Sequence, residues 1–143
     1  MTRGSSQSGV TLIEMLIVMA IIGLIAGISF PSVSAGLESI QLRSAADAIA
    51  SFLNAAQGRA ERREQAIEVV VTPADSTLTL YSSEAGYTRK LTLENNIKIT
   101  GEQPTQFLLL PGGTPPAIAI DIFNRRGAHK TIRIDPVTGV PQT

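Results

Sequence analysis

One feature constrains this chain more than any other. Residues 10–30, VTLIEMLIVMAIIGLIAGISF, form an apolar block interrupted by a single carboxylate, Glu14. Wound as a helix at roughly 1.5 Å per residue, the block is about 30 Å long, the thickness of a bilayer's hydrocarbon core. Ahead of it stands a short polar leader, residues 1–9, MTRGSSQSG, whose one charge is Arg3. Pro31 closes it. A carboxylate at the centre of hydrocarbon costs roughly 2.5–3.5 kcal/mol, and less near an end, so Glu14 needs a compensating partner.

The block allows three readings: a cleaved secretory signal, a plain signal anchor, or a more specialised segment. Val33-Ser34-Ala35 is a passable small-x-small cleavage site. The run is long for a signal peptide, however, its leader is nearly uncharged, and Glu14 lies inside it. Two accounts of Glu14 follow. Thr11-x-x-Glu14 has capping-box spacing, which satisfies free N–H groups at a helix start. Alternatively, Glu14 meets a cation from another chain. A new α-amino group at Val10, freed by cleavage after Gly9, is such a cation, and inside lipid the pair is strongly favoured over two lone ions. That pairing also fixes the stagger between neighbouring subunits.

Gly9-Val10-Thr11-Leu12-Ile13-Glu14, the apolar residues that follow and Pro31 together resemble the class III leader of type IV pilins and type II secretion pseudopilins. The resemblance implies that prepilin peptidase cuts between Gly9 and Val10 on the cytoplasmic side and methylates the new amine. Val10 then becomes the mature N-terminus, Glu14 beside Thr11 the assembly carboxylate, and Pro31 the helix-kinking proline. One departure is Val10 itself, where phenylalanine is commoner; it bears on methylation rather than on cleavage. The implied setting is a single-pass protein of the bacterial inner membrane with its C-terminal head in the periplasm. The implied partners are other pilins or pseudopilins, the peptidase and an inner-membrane assembly platform.

Residues 31–66 read as a continuing amphipathic helix. Apolar or small side chains recur at 42, 45/46, 49, 52/53, 56 and 60, while Arg43, Asp47, Arg59, Glu61, Arg62 and Glu64 lie largely off that stripe. One face of such a helix packs and the other stays wet. A bend or local melting is expected at Pro31, which removes a helical hydrogen bond. After Gln65 the period changes to two. Strands are predicted at Ile67–Thr72, Thr77–Tyr81, Arg89–Leu93, Ile97–Thr100, Phe107–Leu110, Ala117–Phe123 and Lys130–Ile134, separated by glycine, proline and asparagine breakers. The predicted class is α+β: a long N-terminal helix packed on an antiparallel, sandwich-like head over 67–143.

The run Ala56–Arg63 feeding Ile67–Val71, and the closing Ile132–Asp135 with Thr138-Gly139-Val140, resemble the H-type minor pseudopilins and the FimT-type minor pilins. The resemblance implies a minor subunit of the type II secretion pseudopilus, at its tip or at the start of its assembly. The alternative is a minor pilin of a type IV pilus that binds DNA for uptake. A major pseudopilin's calcium loop is not evident: Glu84, Glu94, Asn95, Asn96, Glu102 and Asp121 are scattered.

Composition excludes several classes. Without cysteine there is no disulfide framework, thiolate metal site or cysteine nucleophile. The lone histidine, His129, sits in a turn-like stretch, and no nucleophile elbow or phosphate loop is present, so the chain is expected to be neither an enzyme nor a cofactor or metal carrier. A formal net charge of zero argues against a dedicated nucleic-acid binder. The one basic cluster, Arg125, Arg126, Lys130 and Arg133, is the place where DNA would touch; its bland reading is a soluble loop followed by an outer strand face.

Overall fold

A computed structural model describes residues 10–82, 86–94, 96–113, 116–135, 138 and 140–142, with 28–35 described by backbone alone. The chain divides into two compact units, Met1–Leu37 and Glu38–Thr143. The architecture is α+β: helix α1, Leu12–Arg63, then β1 Ile67–Thr72, β2 Thr77–Ser82, β3 Thr88–Thr92, β4 Ile97–Ile99, β5 Thr105–Leu109, β6 Ala119–Asn124, β7 His129–Ile134 and β8 Pro141–Gln142.

Within the first unit, α1 begins at a capped end. The Thr11 carbonyl accepts the Met15 N–H at 3.2 Å, the first turn's ladder bond. Helical backbone continues through position 31, so the local melting expected at Pro31 does not occur.

In the second unit the helix carries the stripe that its sequence spacing demands. Leu42, Ala46, Ile49, Leu53, Ala56 and Ala60 are buried, and Phe52 joins them. Ala46, Ala56 and Ala60 give that stripe small side chains. The helix ends at Arg63 rather than at 66. Glu64 takes φ +52°, the Glu64 N–H reaches the Glu61 carbonyl at 3.4 Å, and the Gln65 N–H reaches the Ala60 carbonyl at 3.2 Å. This is a Schellman closure with glutamate where glycine is usual. No glycine marks the stop, which is why the helical pattern reads on past it.

Two four-stranded sheets follow, ordered β3-β2-β1-β5 and β4-β6-β7-β8, and every pairing is antiparallel. Alternation decides what each strand buries. Ile67, Val69 and Val71 of β1, Leu80 of β2, Leu109 of β5, Ile120 and Ile122 of β6, and Ile132 and Ile134 of β7 join the helix stripe in one core. The β1–β2 hairpin closes through Pro73–Ser76, where the Ser76 N–H donates to the Pro73 carbonyl at 3.1 Å and Ser76 adopts φ +50°.

The strands predicted from alternation are present, with shifted ends. β5 starts at Thr105 instead of Phe107, β6 starts at Ala119 instead of Ala117, and β7 starts at His129. β8 was not anticipated. It begins with proline, which disfavours strand, and exists because Arg133 and Ile134 of β7 offer it a ladder.

Candidate functional site: the N-terminal helix and the head surface

Positions 10–27 show no inward face. Val10, Leu12, Ile13, Met15, Leu16, Ile17, Val18, Met19, Ile21, Ile22, Leu24 and Ile25 are all exposed. A helix that is apolar all round is stable only inside a protein assembly or a membrane. Among the described residues no helix is long and apolar enough to cross a membrane; the described side chains of the apolar block stop at Gly27, and 28–30 lie beyond them.

Thr11 is the N-cap. Its Oγ1 accepts the backbone N–H of Glu14 at 3.3 Å. The sequence offered capping and charge pairing as competing accounts of Glu14, and the geometry makes them compatible. The cap uses the Thr11 hydroxyl and the Glu14 main chain, so the Glu14 carboxylate is not consumed by it. That carboxylate is exposed at the helix's N-terminal turn, where the backbone dipole favours negative charge. Val10 is 62 % exposed just ahead of the cap. Gly9, the other side of the expected scissile bond, lies outside the described residues, as does the side chain of Pro31.

On the head, the four basic residues singled out in the sequence do not form one patch. Arg125 and Arg126 occupy the β6–β7 turn, which Asn124 builds. The buried Asn124 Oδ1 accepts the Arg126 N–H at 3.1 Å and the Ala128 N–H at 2.9 Å, and Gly127 supplies the positive φ of +78°. The Arg126 guanidinium Nε meets the Glu38 carboxylate at 2.9 Å, so much of its charge is already balanced. Strand parity separates the other two. Lys130 shares the side of β7 that carries the buried Ile132 and Ile134, whereas the exposed Arg133 shares the side of His129 and Thr131. On that outer face the Thr131 hydroxyl donates to Asp121, which places an acid between the His129 row and Arg133. His129 is exposed and lies against Phe123, with ring centroids 5.6 Å apart.

The acidic and amide loop residues are likewise dispersed. The Asn96 side chain donates to Gln41 on the helix. Glu84 and Asn95 lie outside the described residues. Among the described residues no group of three His, Cys, Asp or Glu side chains is placed to hold a metal ion.

Sequence reasoning missed Asn124 and Glu38. An asparagine three residues before a turn glycine is a recognisable signal for a side chain that closes its own loop, so Asn124 was findable. Glu38 was not: its partner lies far along the chain.

The family model for the prokaryotic N-terminal methylation motif matches residues 4–30. That motif is the prepilin-type signal of type IV pilin-like proteins, and it implies processing by prepilin peptidase and assembly with other pilins. No curated protein and no solved structure gives a significant match.

Proposed function

We propose that this type IV pilin-like chain is a minor pseudopilin, a non-catalytic subunit of the type II secretion pseudopilus that supports protein export across the outer membrane. The observation that carries the proposal is the helical segment Leu12–Ile25, exposed on all sides and apolar except for one carboxylate that the Thr11 cap leaves available. The matched methylation motif covers the same residues.

The mechanism is assembly. The subunit waits in the inner membrane with its leader in the cytoplasm and its head in the periplasm. Prepilin peptidase cuts between Gly9 and Val10 and methylates the Val10 amine. The assembly platform then draws the helix out of lipid into a bundle of like helices. There the Glu14 carboxylate meets the amine of an adjoining subunit, and the apolar side chains exchange lipid for one another. A pair of this kind is favoured because each ion alone in hydrocarbon is costly.

One feature supports a minor subunit: the alanine-, arginine- and glutamate-rich helix end runs straight into an antiparallel β head. The FimT-type reading shares the N-terminal segment, but its DNA contact draws little support from a head in which Arg126 is paired with Glu38 and Lys130 and Arg133 point to opposite faces.

Mass spectrometry of the mature N-terminus tests the reading. The expected start is a methylated Val10. Retention of residues 1–9, or a start at Gly36, would refute it.

A further inference from the structure

Sheet pairing brings together cations at the β6–β7 turn that lie far apart in the chain. Asn124 pairs with Ile97 of β4, so the exposed Lys98 and the exposed Arg125 each stand next to that pair. Lys98, half-buried Phe123 and exposed His129 form one cross-strand row on the outer face of this sheet. The acids around the turn are placed elsewhere. Glu38 is engaged by Arg126 at 2.9 Å, and Glu94 lines a groove with Gln41, Ser44 and Thr92 beside the helix. Asp121 lies one row further from the turn and accepts the Thr131 hydroxyl. Lys98 and Arg125 are therefore the charges that the turn presents outward.

The Arg126–Glu38 pair also fixes where on α1 this turn is held. Glu38 follows Phe30, the last residue of the apolar block, by about 12 Å of helical rise at roughly 1.5 Å per residue. The headgroup layer outside a bilayer's hydrocarbon core is roughly 6 Å thick on each side. With the apolar block in the core, the remaining gap is one that a long arginine or lysine side chain bridges. The helix residues around Glu38 suit the same setting. Leu37 and Ile40 expose aliphatic side chains that a headgroup layer covers and bulk water does not.

We propose that in the membrane-inserted subunit the β6–β7 turn docks on anionic phospholipid headgroups through Arg125 and Lys98. This rests on the reading of residues 10–30 as a membrane span. Each cation brought close to an anionic bilayer strengthens docking about fivefold. The Arg126–Glu38 pair is the positioning contact, and Arg125 and Lys98 are the lipid contacts. Docking holds the head against the leaflet while the subunit waits, so withdrawal of the helix into a filament has to break it.

The test places the full chain in lipid nanodiscs that contain a headgroup-labelled quencher lipid, with or without phosphatidylglycerol in a zwitterionic background. The chain has no cysteine, so Ala128→Cys carries a fluorophore in the turn and Thr138→Cys carries one in the loop before β8. Quenching at 128 is expected to rise with phosphatidylglycerol and to fall as salt is raised, while 138 changes little. Arg125→Gln and Lys98→Gln, both at exposed positions that leave thermal unfolding unaltered, should each weaken docking about fivefold, and together about twenty-five-fold. A chain that does not co-purify with the discs refutes the membrane span and the docking with it. A chain that inserts, but whose quenching at 128 ignores anionic lipid or survives the double substitution, refutes the docking alone. Binding of duplex DNA to zwitterionic discs through the same two cations would overturn it too, by assigning the turn to nucleic acid.

Discussion

Ser76 combines two unfavourable features that a single substitution removes. Its φ of +50° is left-handed, which costs a residue bearing Cβ about 1–2 kcal/mol. Its hydroxyl is buried, with the residue 4 % exposed, and has no hydrogen-bond partner, a desolvation cost of about 1–3 kcal/mol. Ser76→Gly relieves both. Against this, glycine has more backbone freedom to lose on folding, about 0.5–1 kcal/mol. The main-chain bonds of the turn survive the change, since Ser76 contributes only its N–H to Pro73 and its carbonyl to the Leu93 N–H at 3.0 Å. The net gain is about 2 kcal/mol. For a domain of about a hundred residues that raises Tm by about 8 °C. The assay is thermal unfolding of the fragment Glu38–Thr143, the compact unit that holds every core residue. Ser76→Ala separates the contributions: it removes the hydroxyl but keeps Cβ in the left-handed region, so it should gain only about 1 kcal/mol. The expected order of stability is glycine, alanine, serine. Destabilisation by Ser76→Ala would mean that the hydroxyl is satisfied. Glycine no better than alanine would mean that the turn is unstrained.

Three further outcomes follow from the same geometry. Glu14→Ala should leave the head folded, membrane insertion intact and the helix start capped, because the cap uses the Glu14 main chain, yet should reduce incorporation into the filament; unchanged co-purification with other filament subunits would contradict it. Thr11→Val should remove about 1 kcal/mol of capping and speed hydrogen exchange at the Glu14 amide about fivefold, measured on the full chain in micelles. Asn124→Ala strips the acceptor from the Arg126 and Ala128 N–H groups and should cost the head about 1–3 kcal/mol in urea unfolding, with Asn124→Asp, which keeps the acceptor, costing less.

What the sequence determined by itself is whatever depends on neighbours within a turn or two. The apolar block, its buried-cost carboxylate and the Thr11-x-x-Glu14 spacing are local, and so is the stripe Leu42, Ala46, Ile49, Leu53, Ala56, Ala60 that dictates which helix face packs. Strand alternation is local too, which is why β1 was legible to the residue. Tertiary structure decided everything that needs a partner from elsewhere in the chain. Glu64 ends the helix in a conformation that glutamate does not favour, because the strand that follows must reach the core. β8 exists only where β7 offers it hydrogen bonds. Arg126 is balanced by Glu38, and Lys130 and Arg133 part company because adjacent positions on a strand alternate faces. Sequence proximity gathers charges into a cluster on paper; the two-residue period of a pleated strand and the ion pair to a distant helix residue take that cluster apart.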